Sequence, residues 1–348
     1  MSTYYLSQQR GNNSNDGLSP GAAKLTWAGV QAVATGVGDI IYIGPGTYRE
    51  KLVIQNNDQQ IIADPLCKVF TTETPGRVRI TGCGVDEIPT GGSIINGNAK
   101  TGLVIKGHSI DAMLQVDGCS NDYVIRNTVP FTLQFAIVAG YTGAFNPAGL
   151  FDRCVADTLI DGFVDGNSNL CYSLGATRGF RLRNTAGAAI TCLNCITEGG
   201  QDGYYSNNVT YALTAKNCAA FRANRGAFNG DSRGLAIVNC LALQCVYGAY
   251  GTSTSYPLDI AELKHCVCMN IARGGGYDTG TPTGVGTVHC DWPARLRASI
   301  PIISAGLVGL GTAGLATDMI GRAFANPPSI GPWEIVDSIG RMWRPDCE

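Results

Sequence analysis

Tyr211-Ala-Leu-Thr-Ala-Lys-Asn-Cys218 and Leu235-Ala-Ile-Val-Asn-Cys240 are the stretches on which the fold turns. Each runs through small apolar and β-prone residues and stops at a polar turn, the pattern of a short strand. Both end on Asn-Cys, and the same pair stands at Asn194-Cys195. Cys154, Cys195, Cys218, Cys240 and Cys266 are each followed eight residues later by glycine, at Gly162, Gly203, Gly226, Gly248 and Gly274. Cys171 with Gly179 adds a sixth match. From Cys171 onward the steps between copies are 24, 23, 22 and 26 residues. Such a drifting period suits coils whose turns vary in length while their strands do not. A leucine-rich repeat has a similar period, but it needs leucines at fixed offsets and a helical segment in each unit, and neither is present.

The pattern predicts an all-β chain: a right-handed parallel β-helix with two or three short strands per coil. In such a solenoid the same position of successive rungs stacks about 4.8 Å apart, so a repeated residue type becomes a ladder. Cysteine in this register is expected to form an interior column of reduced thiols. Disulfides between neighbouring rungs or subunits are the alternative. A zinc site wants two tight pairs; only Cys192-Leu-Asn-Cys195 has that spacing, and Cys266-Val-Cys268 is too close. No metal or other cofactor is expected. Asn194, Asn217 and Asn239 stand where side-chain amides can bond along the stack at a turn, and His265 takes that place in the next copy.

The composition agrees. At 348 residues the chain exceeds an ordinary single domain, a limit that a solenoid escapes because each repeat packs only on its neighbours. Charged residues make up 15% and glycine supplies 46 positions, which favours strands and turns over salt-bridged helices. The formal net charge is −2 with no lysine or arginine run, so nucleic acid is not an expected partner. The N-terminus, Met1-Ser-Thr-Tyr-Tyr-Leu-Ser, lacks the basic start and apolar stretch of a Sec signal. Ala298 to Thr317 carries no charge and approaches the roughly 20 residues that span a bilayer. Pro301, Gly306, Gly309, Gly311 and Gly314 interrupt it, so strand and loop are expected there and no membrane association.

Two short patterns are set aside. Gly309-Leu-Gly-Thr-Ala-Gly314, with Glu334 twenty residues on, fits the dinucleotide fingerprint by letter. The chain beyond it is too short for the rest of such a domain, and Pro327-Pro328 falls where its next strand would run. Asn208-Val-Thr210 is a glycosylation sequon by letter alone.

Residues 1–50 differ from the repeat: a strand at Tyr4–Ser7, a polar loop from Gly11 to Gly17 and a helix around Trp27 to Thr35. An uncovered first rung would leave unpaired strand edges and an open apolar core, so this block is read as a cap. Rungs are expected over 51–292. Residues 293–348, rich in proline, are read as an irregular C-terminal tail with oligomer contacts.

The ends carry a resemblance. Tyr4-Tyr-Leu-Ser7, Asp16-Gly-Leu-Ser-Pro20 and Gly38-Asp-Ile-Ile-Tyr-Ile-Gly-Pro-Gly-Thr-Tyr-Arg-Glu50 resemble the start of pectate-lyase-like right-handed β-helix proteins. Asp318-Met-Ile-Gly-Arg-Ala-Phe-Ala-Asn-Pro-Pro-Ser-Ile-Gly-Pro-Trp-Glu334 is similar to closing segments of the same superfamily, which includes many virion-associated proteins of bacteriophages. The resemblance implies the fold, and in many members cleavage of acidic or neutral polysaccharides by β-elimination or by paired carboxylates.

One residue before each repeat glycine stand Asp161, Arg178, Asp202, Arg225, Tyr247 and Arg273. Acids and bases are thus expected to alternate up one side as an ion ladder, exposed pairs of which are worth about 0–1 kcal/mol each. Asp161, Arg178 and Asp202 are the catalytic candidates, with Arg225, Tyr204 and Tyr205 as ligand-facing ones. Two rungs separate the carboxylates, roughly 9–10 Å, near the upper limit for an inverting pair, and a cation lies between them. Phe163, Phe180, Tyr204, Tyr205, Phe228, Tyr250 and Tyr277 follow the glycines, a column expected inside the coil more than on a sugar platform. His108, His265 and His289 join no acid–base group.

The function expected from these residues is a non-enzymatic structural component of a phage virion: a capsid decoration, tail or adhesion protein. It would be made in the host cytoplasm and assembled as a homo-oligomer, a trimer, with other virion proteins as partners. The alternatives are a tailspike-like lyase or glycoside hydrolase acting on host surface polysaccharide, and a carbohydrate-binding scaffold.

Overall fold

The computed structural model describes residues 1–63, 78–81, 93–110, 112–183, 186–208, 210–230, 235–238, 240–243, 245, 247–250, 267–269 and 288–289. The chain is a parallel β-helix, and among the described residues every pairing between strands is parallel. One full rung runs Ile190–Leu193, Ile196–Glu198 and Asp202–Ser206; the next runs Leu213–Lys216, Ala219–Phe221 and Gly226–Gly230. The first strands of the rungs form a ten-stranded sheet from Thr3–Leu6 to Leu235–Val238. The second and third strands make the other two walls.

Cys154, Cys171, Cys195, Cys218 and Cys240 lie in one file, because each directly precedes the strand residues Val155, Tyr172, Ile196, Ala219 and Leu241, which pair in that order. All five are at most 1% exposed, and Cys154, Cys171, Cys192, Cys195, Cys218, Cys240 and Cys245 form no disulfide. Burial pushes the Cys154, Cys192 and Cys195 thiols well above their ordinary value, whereas at Cys171 and Cys218 hydrogen bonds from the neighbouring cysteines outweigh burial and lower it. Cys266 and Asn239 lie outside the described residues.

The residue before each of Cys154, Cys171, Cys195 and Cys218 turns the corner between two walls, and Phe135, before Ala136, does so one rung earlier. Phe135, Arg153, Leu170, Asn194 and Asn217 have φ of 50 to 53°, a left-handed conformation that asparagine tolerates better than other side chains. Each of the first four donates its backbone N–H to the carbonyl just ahead of the next corner, at 2.9 to 3.1 Å. The expected amide ladder is therefore a backbone ladder at Asn194, whose Oδ1 accepts no hydrogen bond. Backbone conformation explains the asparagines better than stacking of their amides.

Inside, Phe151, Phe163, Phe180, Tyr204 and Phe228 form a continuous file with ring centroids 5.0 to 5.2 Å apart, each contact adding about 0.5–1.5 kcal/mol beyond area burial. Gly162, Gly179 and Gly203 lie one residue before members of this file. A Cβ on Gly162 would stand 2.5 Å from Ser173 Oγ, and one on Gly179 would stand 2.7 Å from Thr197 Cγ2. At Gly162 and Gly179 the facing wall approaches too closely for a Cβ. Ala227, not Gly226, occupies that place in the next rung, since Tyr204 pairs with Phe228.

In the N-terminal block the strand Thr3–Leu6 pairs with Ile40–Ile43 at the start of the ten-stranded sheet. Thr26 caps the helix Trp27–Gln31 by accepting the Gly29 N–H at 3.1 Å. Trp27 is buried and donates its indole N–H to the Val53 carbonyl at 3.0 Å, while Val30 and Ala34 are fully enclosed. Asp39 is buried and accepts from the backbone of Ser2 and Gly36, both at 2.7 Å. No helix among the described residues is long and apolar enough to cross a membrane. The charge-free stretch 298–317, the fingerprint at 309–314 with Glu334, and the tail 293–348 lie outside the described residues.

Candidate functional site

The strands Asp161–Val164, Arg178–Leu182, Asp202–Ser206 and Gly226–Gly230 stack into the wall that carries the predicted ionic side chains. Asp161 pairs with Arg178 and Arg178 with Asp202, as the repeat predicts. The next register position is Gly226, not Arg225. The turn from Phe221 to Gly226 is one residue longer than the turn from Glu198 to Asp202, which an alignment on cysteine and glycine alone conceals.

Arg225 nevertheless reaches back to Asp202. Its Nε donates to Asp202 Oδ1 at 2.9 Å and its terminal nitrogen bonds Oδ2; Asn229 Nδ2 and the Gly226 N–H complete the shell at 2.9 and 3.3 Å. Asp161 Oδ2 accepts from Arg181 at 2.7 Å, and Arg178 Nε stands 3.3 Å from Oδ1. Asp165 takes the Arg183 backbone N–H at 2.8 Å and its Nε at 2.7 Å. Burial pushes Asp165 above the ordinary carboxylate value, against the lowering effect of those Arg183 bonds.

Exposure decides what this surface presents. The Asp161, Asp165 and Asp202 side chains are 0 to 3% exposed, whereas Arg178, Arg181, Arg183 and Arg225 are 20 to 29% exposed. The ladder expected to consist of surface pairs is therefore a layer of half-buried guanidinium groups backed by buried carboxylates. Breaking such a pair costs about 3–5 kcal/mol, far more than an exposed pair.

Tyr205 anchors the layer: the Arg178, Arg181 and Arg225 guanidinium carbons lie 5.4, 5.9 and 5.8 Å from its ring centroid. Arg183 lies 4.3 Å over the Phe145 ring and donates to Tyr123 Oη at 3.2 Å. Tyr204 is in the interior aromatic file, fully buried, with its hydroxyl donating to the Cys195 carbonyl at 2.7 Å. It cannot face a ligand, because the residue next to it along the strand takes the outward position. The side chain of Tyr247, and Arg273 and Tyr277 altogether, lie outside the described residues.

Sequence reasoning missed Asp165, Arg181 and Arg183 as partners. The signal was available in Arg178-Gly-Phe-Arg-Leu-Arg183, where Arg181 and Arg183 stand two apart, and in Asp165, Asp161 and Asp157, which recur every four residues. Asp157, the third of that series, lies on a different wall and is exposed. There Tyr172 donates to Glu198 at 2.6 Å and Arg222 to Glu198 at 3.1 Å. Asn208 of the sequon is buried, its amide nitrogen 2.7 Å from the Arg183 carbonyl and its oxygen accepting from Thr210 and Tyr211.

Hydrolysis needs one carboxylic acid beside the leaving oxygen and one carboxylate with an open lone pair for water or sugar. Asp202 already accepts four donors and Asp161 faces two arginines. Guanidinium groups preorganised in this way offer planar, partly desolvated donors to an oxyanion.

No protein-family model matches the chain, and no curated protein does. Among solved structures it is similar to a rhamnogalacturonan lyase, with 14% identity over 84% of this chain and 85% of the other, at a TM-score of 0.52. It is also similar to the lacto-N-biosidase of family GH136 from Eubacterium ramulus, in native and selenomethionine forms, with 10% identity over 82% of this chain and 67% of that one, at TM-scores of 0.42 and 0.39. At 14% identity the first likeness is one of fold.

Proposed function

We propose that this chain is a polysaccharide-directed β-helix that holds an acidic glycan along its arginine-bearing wall. The observation that carries the reading is the contrast in exposure: arginine side chains 20 to 29% exposed, set against carboxylates 0 to 3% exposed. A uronate carboxylate matches two guanidinium N–H groups in plane, and Tyr205 under Arg178, Arg181 and Arg225 gives the site a fixed floor. Support also comes from the likeness in fold to a protein named as a lyase of the polysaccharide rhamnogalacturonan. Depolymerisation by elimination fits such a surface better than hydrolysis by Asp161 and Asp202, both of which are engaged.

A second reading is favoured by that same engagement of the carboxylates: a non-enzymatic component of a phage virion, homotrimeric, using the wall for adhesion. One experiment separates the two. The purified chain is incubated with polygalacturonate, rhamnogalacturonan and neutral dextran, with binding and product release followed together. Ultraviolet-absorbing unsaturated ends identify a lyase, and reducing ends without that absorbance a hydrolase. Salt-sensitive binding without release identifies an adhesin. Arg181→Gln, checked for folding by circular dichroism, is expected to weaken retention on the acidic glycans about tenfold. Binding no stronger to acidic glycans than to dextran overturns the proposal.

A further inference from the structure

The interior cysteine file repeats more than a residue type. Cys154 Sγ lies 3.3 Å from the Asp152 carbonyl and 3.4 Å from that of Leu133; Cys171 Sγ lies 3.3 Å from Asn169 and 3.4 Å from Phe151; Cys218 Sγ lies 3.3 Å from both Lys216 and Cys192. Each thiol thus sits between the carbonyl two residues before it and a carbonyl of the preceding rung. Cys195 keeps the first of these contacts at 3.1 Å and Cys240 the second at 3.3 Å. Side chains with the same setting on stacked strands are displaced by one rung, about 4.8 Å from sulfur to sulfur. That displacement is close to twice a metal–thiolate bond of about 2.3 Å.

We propose that this file is a site for a soft d10 cation of the copper(I) class, held in line between two neighbouring sulfurs. Two thiols release their protons to solvent, the cation forms two metal–sulfur bonds, and nothing is oxidised or reduced. Thiolate softness selects such an ion over calcium or magnesium. The carbonyl oxygens that now accept from the thiols give up those bonds when the thiols ionise, and the Cys218 N–H supports Cys240 Sγ at 3.4 Å. A tetrahedral zinc cage is a different matter: among the described residues no three His, Cys, Asp or Glu side chains converge on a metal position. With the sulfurs at most 1% exposed, the ion enters while the rungs close, so metal uptake is coupled to folding. The inference stands independently of any glycan.

The test uses the full chain produced in copper-supplemented cells and purified without oxygen, with copper counted per chain and its ligands read by X-ray absorption. Expected is at least one copper per chain above the content of the Cys171→Val/Cys195→Val/Cys218→Val variant, with two sulfur neighbours. Should that variant fail to fold, Cys195→Val alone breaks both central gaps and is expected to lose at least half of the bound copper, whereas Cys192→Val leaves the file intact and keeps it. Copper in the wild type no higher than in the file variants, or ligated by nitrogen and oxygen, overturns the proposal.

Discussion

Gly179 shows how one position serves the coil. A methyl group there would meet Thr197 Cγ2 at 2.7 Å and the Gly203 carbonyl at 2.8 Å, so Gly179→Ala forces two walls apart. Overpacking of this kind costs about 1–3 kcal/mol, read as a lower urea midpoint with an unchanged slope. Adding Thr197→Ala removes one of the two collisions and is expected to restore part of the loss. Asp202→Asn belongs with it: the fully buried carboxylate is replaced by an amide that gives Arg225 a poorer partner, at a cost of about 3–5 kcal/mol. Loss of glycan binding in that variant would therefore reflect folding, and Arg181→Gln, which takes the 2.7 Å partner from buried Asp161, is read only after the same folding control. The glycine was readable from the sequence as a repeat, but its cause was not. Thr197 presses on Gly179, and Ser173 on Gly162, from the opposite wall, a contact across the coil that no local periodicity encodes. For the same reason Arg181 and Arg183 escaped notice, whereas Asp161, Arg178 and Asp202 did not: adjacency between rungs follows the period, and adjacency along one wall does not.

The corner between walls is the element on which regular winding depends, and the chain does not fill it uniformly. Asn194 and Asn217 tolerate their positive φ, but Leu170 holds φ of 53° with a γ-branched side chain, where a left-handed conformation costs roughly 1–2 kcal/mol. Leu170→Asn is expected to raise stability by about 1 kcal/mol, and Asn194→Leu to lower it by a similar amount, both measured by chemical denaturation. The cap gives a pH signature. Glu50 accepts the Trp27 backbone N–H at 2.7 Å, and burial raises its carboxyl above the ordinary 4.5 more than that bond lowers it. A raised carboxylate binds its proton more tightly in the folded state. Its contribution is fully present below pH 4.5 and is lost as pH rises through the folded value. Glu50→Gln keeps an acceptor for Trp27 and removes the titration. The stability difference between wild type and variant should therefore shift toward the variant across that window, and a pH-independent difference would contradict the assignment.

Taken whole, the molecule is one-dimensional: a rung touches the rungs before and after it, and stability is a sum of rung and interface terms. This is why the fold could be read from Asn-Cys and glycine spacing alone. A solenoid writes its architecture into a period, whereas a globular domain hides it in unrelated contacts. Function is not written so, because a binding wall needs only a few outward residues and the period says nothing about which guanidinium reaches which carboxylate. The same architecture makes the cap's effect local. Trp27 is buried against the first rungs and tied to Val53 by its indole N–H, so Trp27→Ala opens a cavity costing about 3–5 kcal/mol. In a cooperative globular domain that loss would speed amide exchange everywhere. Here exchange should quicken in Ile40–Ile43 and Gln60–Ala63, next to the cap, while Ile190–Leu193 and Leu213–Lys216 keep their protection. Hydrogen exchange resolved by peptide checks this directly. Uniform acceleration across all four strands would mean that the rungs unfold as one unit and that the nearest-neighbour account of this coil is wrong.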